Sequence, residues 1–157
     1  MSHLAGRGIL SALLVLLVHV AAWAEPVPVT ITSLDPRFDQ LVPKNAQVEK
    51  IADGFTWVEG PVWHKQGGYL LFSDIPANRV YQWKPGKGTS VYLKNSGYSG
   101  STPFAGKEPG SNGLTFSADG QLYLCRHGDR QIGRLEADGR ITPVAARFDG
   151  HLINSPN

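Results

Sequence analysis

From Val48 onward short apolar runs recur along the chain, at Gly60 to Trp63, Tyr69 to Phe72, Val80 to Trp83 and Ser90 to Leu93. Turn formers separate them: Gln66-Gly67-Gly68, Pro76-Ala77-Asn78 and Pro85-Gly86-Lys87-Gly88. Glycine, proline and asparagine supply the backbone angles that tight reversals need, so the pattern predicts a four-stranded antiparallel meander. A second set follows at Gly113 to Phe116, Gln121 to Cys125, Ile132 to Leu135 and Ile141 to Ala145. Its turns fall at Asp119-Gly120, His127-Gly128-Asp129 and Asp138-Gly139.

The two sets are copies of one unit. Glu59-Gly60-Pro61-Val62-Trp63 lies over Asn112-Gly113-Leu114-Thr115-Phe116 at an offset of 53 residues, and one gap then brings Val80 onto Ile132. A third copy begins at Ser155-Pro156-Asn157, 45 residues beyond Asn112. Four-stranded units at a period near 50 residues are the signature of a β-propeller, whose radial blades each bury one face on the next. The expected fold class is therefore all-β, a propeller of which about two blades and the start of a third are present. A complete small sandwich is the competing architecture. Propellers have roughly four to eight blades, so the chain reads as the N-terminal part of a longer protein. Alone, it would leave open sheet edges and an unpaired blade face, both aggregation liabilities.

The N-terminal stretch has a different character. Arg7 precedes an apolar run from Ile9 to Ala22 that ends in the small-x-small pattern Ala22-Trp23-Ala24. This reads as a secretory signal peptide cleaved after Ala24, and the run is well short of the roughly 20 residues a membrane-spanning helix needs. Residues 1–24 are thus assigned to the signal and residues 25–47 to an extended arm. Glu25-Pro26-Val27-Pro28-Val29 is too proline-rich for a central strand, and Asp35-Pro36 and Val42-Pro43 follow it, with room for one short helical turn. Residues 48–157 hold the propeller. The expected location is the periplasm or the exterior, with no membrane attachment after cleavage.

Composition agrees with this picture and removes other classes. Hydrophobic residues at 41% against charged residues at 18% suit a globular chain, and 18 Gly with 11 Pro suit turn-rich β structure over a helical bundle. The formal charge of +2 has no block of Lys or Arg behind it, which argues against a nucleic-acid partner. Cys125 is the single cysteine, so no internal disulfide can form, and its place in the alternating run Leu122-Tyr123-Leu124-Cys125 reads as a packed, inert thiol.

Four segments carry a family resemblance. Phe55-Thr56-Trp57-Val58-Glu59-Gly60-Pro61-Val62-Trp63, Leu71-Phe72-Ser73-Asp74-Ile75, Ser111-Asn112-Gly113-Leu114-Thr115-Phe116 and Leu152-Ile153-Asn154-Ser155-Pro156-Asn157 resemble the gluconolactonase/regucalcin-like (senescence marker protein) six-bladed propellers. The resemblance covers essentially all of Val48 to Asn157. It implies a full-length protein about twice this size, a divalent metal, usually Ca²⁺, in the central channel, and hydrolysis of sugar lactones. In the family the metal is held by a Glu at the position of Glu59, an Asn at that of Asn157, and further ligands from later blades. Asn112 also matches a motif and is carried over as a channel and substrate residue.

The repeat supplies a physical reason for a site at that place. Glu59, Asn112 and Asn157 each precede the first apolar run of a unit, and by symmetry the starts of innermost strands converge on the propeller axis. A carboxylate and carboxamides offer the hard oxygen ligands Ca²⁺ prefers, and no clustered Cys/His spacing suggests zinc. The ordinary readings are a surface charge for Glu59 and turn residues for the two asparagines. His127, at a strand end, could reach the channel rim as a general base or be a plain loop histidine, and Asp74 carries the same ambiguity as a channel residue. His64 and His151 read as surface residues. The Lys94 to Ser111 connection is long for a meander and could be a lid, with Tyr98 and Phe104 shielding substrate, or a tolerated insertion.

The chemistry expected is metal-assisted hydrolysis of an aldonolactone. Gly97-Tyr98-Ser99-Gly100-Ser101 fails the Gly-x-Ser-x-Gly serine-hydrolase pattern at its last position, and no His-Glu-x-x-His motif occurs. The alternatives are a phosphotriesterase or other lactonase on the same propeller, and a non-catalytic periplasmic binding propeller. The 157-residue piece alone is expected to be inactive, since two blades cannot close a ring.

Overall fold

The computed structural model describes residues 25–157, so the signal-peptide reading lies outside the described residues. In chain order the elements are β1 (Glu25–Val27), one 3-10 turn (Phe38–Gln40), β2 (Val48–Lys50), β3 (Val58–His64), β4 (Tyr69–Asp74), β5 (Arg79–Lys84), β6 (Gly88–Lys94), β7 (Ser111–Phe116), β8 (Leu122–Arg126), β9 (Gln131–Leu135), β10 (Ile141–Ala145), β11 (Arg147–Phe148) and β12 (His151–Leu152). Every apolar run of the two sets is a strand, with ends within two residues of the sequence-based ones. β3-β4-β5-β6 and β7-β8-β9-β10 are two antiparallel meanders, each strand paired with its chain neighbours. They are consecutive blades of a β-propeller. Val48–Lys50 pairs with β1 rather than with a blade, so the arm closes on itself as a two-stranded ribbon.

Both inner strands carry a bulge at the same place. Pairing of β3 with β4 jumps between Glu59 and Val62, and pairing of β7 with β8 jumps between Ser111 and Leu114. Bulges bend a strand and re-aim the side chains beside them, and these sit at the strand starts that the repeat marked. Gly60, in the first bulge, has φ +56, and a Cβ there would run into the Asn112 carbonyl oxygen and meet the Leu114 nitrogen at 2.8 Å. Only glycine tolerates both the angle and the approach.

The core lies between the blades. Leu71 and Val80 from the first blade meet Leu122 and Leu124 from the second, all but fully buried, with Val62, Tyr69, Leu93, Leu114, Phe116 and Leu135 packed around them. Each such aliphatic side chain contributes about 1.5–3 kcal/mol by burial. Polar groups inside the seam are matched. Ser73 Oγ donates to the Asn112 carbonyl at 3.0 Å, so the Ser111 hydroxyl, 2.8 Å away, donates to Ser73. Gly110 N–H donates to the Ile75 carbonyl at 2.9 Å. At the far end of the strands His64 stacks on Tyr69 with centroids 4.6 Å apart and meets the Phe116 edge at 4.7 Å, while its Nδ1 accepts the Gly67 N–H. His64 is therefore a seam residue and not the surface histidine its sequence context suggests, because its ring fills the space between two blades. His151 is exposed.

Strand direction alternates, so the starts of β3 and β7, the ends of β4 and β8, and the connections 95–110 and 153–157 gather at one end of the sheets. This end is the rim.

Candidate active site

At the rim the starts of β3 and β7 and the stretch that ends in Asn157 stand in succession. Gly60 packs on the backbone of Asn112 to Leu114, and Gly113 packs on Asn157, whose Oδ1 would lie 3.4 Å from a Cβ at Gly113. The third copy thus repeats the contact between the first two. Glu59 is half-buried, and its Oε1 accepts the Trp57 indole N–H at 3.3 Å. Asn112 lies in the bulge with its Oδ1 buried and without a hydrogen-bond partner. A buried carboxamide oxygen left unsatisfied costs about 1–3 kcal/mol, and such a group asks for a donor or a cation. Asn157 is exposed and lines an apolar cavity of about 410 Å³ along the second blade, together with Leu114, Leu124 and Ile132. Cys125 lines the same cavity; burial pushes its thiol up from the ordinary range, which fits an unreactive packed sulfur.

Donor chemistry at these positions is all oxygen, one carboxylate and two carboxamides, which fits Ca²⁺ in kind. It is less than the 6–8 oxygens that ion takes. Among the described residues no group of three or more His, Cys, Asp or Glu could hold a metal.

Asp74 does not join this line as a channel residue. The residue is 4% exposed, and its two carboxylate oxygens accept the Thr56 and Trp57 N–H groups at 3.3 and 3.2 Å. The carboxylate anchors the segment leading into β3. Arg126, at the corresponding end of β8, donates to the Ser96 and Asn95 carbonyls at 3.0 and 3.3 Å and pairs with Asp129 at 2.7 Å. Burial lowers the Arg126 guanidinium from its ordinary range, and Asp129 opposes that shift.

His127 does reach the rim, between two groups that sequence reasoning missed. Its Nδ1 lies 3.5 Å from Glu108 Oε2, and its Nε2 lies 3.4 Å from Ser155 Oγ. Glu108 sits in a glycine-rich connection with no local signal, whereas Ser155 stands within the Asn-Ser-Pro-Asn stretch that drew attention to Asn157. The connection itself is fixed at its base. Asn78 accepts the Gly97 and Tyr98 N–H groups at 2.8 and 3.2 Å and donates to the Tyr98 carbonyl at 2.8 Å. Asp129 accepts the Ser99 N–H and hydroxyl. Tyr98 and Phe104 pack on each other with centroids 5.2 Å apart.

Two neighbouring four-stranded meanders, each strand paired with its chain neighbours, define propeller blades with polar groups at the starts of β3 and β7. Residues 57–157 match the SMP-30/Gluconolactonase/LRE-like region, and the chain belongs to that family. A curated gluconolactonase of Zymomonas mobilis subsp. mobilis is 41% identical over 130 residues, which are 81% of this chain and 36% of that protein. A solved gluconolactonase from Xanthomonas campestris superposes with a TM-score of 0.70 at 29% identity, over 89% of this chain and 43% of its own. A second solved chain, provisionally described as a gluconolactonase, gives a TM-score of 0.63 at 33% identity, over 79% of this chain and 39% of its own. The chain thus spans less than half the length of each of these relatives.

Proposed function

We propose that this chain belongs to an exported, divalent-metal-dependent hydrolase that opens sugar lactones of the aldonolactone type to the aldonic acid. The observation that carries the reading is the buried, unpartnered Asn112 Oδ1, set in a bulge at the strand position that Glu59 holds in the preceding blade. The relatives described as gluconolactonases support the substrate class. Glu59, Asn112 and Asn157 would hold the cation, Ca²⁺ by donor type, with the rest of its shell from elsewhere. Bound there, it would supply Lewis-acid polarisation of a lactone carbonyl and offset charge on its oxygen. Trp57 keeps the Glu59 carboxylate turned through its indole N–H. His127 at the rim is placed to accept or return a proton. The N-terminal apolar run supports export to the periplasm or exterior. Among the described residues no helix is long and apolar enough to cross a membrane.

The test is aldonolactone hydrolysis by the complete gene product, with and without chelator, beside Glu59→Ala. Activity should fall with chelator and return with Ca²⁺, and Glu59→Ala should lose at least about 100-fold in kcat/KM, some 2.7 kcal/mol of transition-state stabilisation. Turnover that survives both treatments removes the metal mechanism. Absence of turnover on any lactone removes the lactonase reading.

A further inference from the structure

Three connections converge on one imidazole. Glu108 comes from the 95–110 segment, His127 from the β8–β9 turn, and Ser155 from the stretch after β12. Oxygen faces both ring nitrogens, Glu108 Oε2 at 3.5 Å from Nδ1 and Ser155 Oγ at 3.4 Å from Nε2. A carboxylate beside Nδ1 favours the proton on that nitrogen, which leaves the Nε2 lone pair to accept from the serine hydroxyl. Other charges on the same turn are engaged elsewhere: Asp129 with Arg126 and Ser99, and Arg130 with the Ile153 and Leu152 carbonyls. Ser155 has φ +30, in the left-handed region that non-glycine residues seldom occupy. It stands two residues before Asn157, so the Nε2 side of the ring is joined through Ser155 to the stretch that ends in Asn157. The side chains of His127 and Glu108 are 22% and 35% exposed, sheltered yet open to a small molecule.

We infer that Glu108, His127 and Ser155 form a proton relay, in which His127 carries the proton during lactone opening and Glu108 is a positioning residue acting through it. The inference rests on the lactonase reading. As the oxygen of water bonds to the lactone carbonyl carbon, its proton passes to His127 Nε2, directly or by way of the Ser155 hydroxyl, which gives its own proton to the ring as it takes one from water. As the bond from that carbon to the ring oxygen breaks, the imidazolium returns the proton to the departing oxygen. One water is consumed, the hydroxy acid forms, and the ring is again neutral with its proton on Nδ1. No other reactant is needed.

Nitrogen NMR of histidine in the complete gene product reads the relay without reference to turnover. The wild type should show His127 protonated on Nδ1 with Nε2 bare, and Glu108→Ala should lose that preference while the unfolding midpoint stays put. With an aldonolactone, His127→Ala should lower kcat by about 10²–10⁴-fold with KM little changed, and added imidazole should restore part of the rate. Glu108→Gln should show a smaller loss, also in kcat. A ring protonated on Nε2, or a His127→Ala enzyme with wild-type kcat, overturns the relay and leaves the lactonase reading standing. A wild type that opens no aldonolactone overturns that reading and the relay's substrate with it, and the nitrogen spectrum then decides the dyad alone.

Discussion

Asp74 and Arg126 occupy one position in two copies of the unit and do the same work with opposite charge. Asp74 accepts two backbone N–H groups from the segment that leads into β3, and Arg126 donates to two carbonyls from the segment that leads into β7. What the repeat keeps is the staple, and which partner carries the proton is free to change. Asp74→Ala strands two N–H groups at the rim and should cost about 1–3 kcal/mol, whereas Asp74→Asn, which keeps one acceptor, should cost less; urea unfolding of both variants measures it. The sequence placed Asp74 at the right strand end and left its role open between channel and ordinary residue. Position along a strand follows from the apolar pattern, but whether a terminal carboxylate turns to a tunnel or back to its own backbone depends on N–H groups 17 and 18 residues away. The places of Glu59 and Asn112 at strand starts were legible for a different reason. They flank bulges whose glycines, Gly60 and Gly113, are visible in the repeat itself.

Among the elements, strands were readable and the long connection was not. Each blade strand is a largely apolar run bounded by turns that hold glycine, proline or asparagine, and such local signals survive without tertiary context, whereas the short β1–β2 and β11–β12 pairs carry none. The 95–110 segment has no such pattern, and its shape is imposed by side chains from two turns, Asn78 from one and Asp129 from the other. A lid that swings free is hard to reconcile with a base pinned in this way. The segment reads better as a fixed arm that carries Glu108 to His127. In Asn78→Ala the Gly97 and Tyr98 amides lose their acceptor, and their hydrogen exchange should quicken while that of the β4 and β8 amides stays unchanged. Unchanged exchange at Gly97 and Tyr98 would mean that Asp129 alone holds the segment.

For the molecule as a whole the seam between blades is the unit of stability, and Tyr69 reports on it. Burial, with Tyr92 beside it, pushes the Tyr69 phenol up to about 12 from an ordinary value of 10.0. The unfolded chain therefore ionises first as pH rises. Between pH 10.0 and about 12 the folded state holds the extra proton, so stability is full below that window and falls as pH climbs through it. Tyr69→Phe should flatten the loss across this interval, seen in unfolding midpoints taken at stepped alkaline pH. An unaltered slope would show that the ring at the seam does not govern alkaline opening.

Where the inner strands meet, at Gly60 against Asn112 to Leu114, main chain touches main chain. The gauge of the axial opening is consequently set by peptide geometry, which mutation cannot retune in small steps. Selection for a bulkier or slimmer ligand would have to act on the groups that project from those strand starts, and enzymes of this build should diversify by changing what lines the bore while its calibre stays constant.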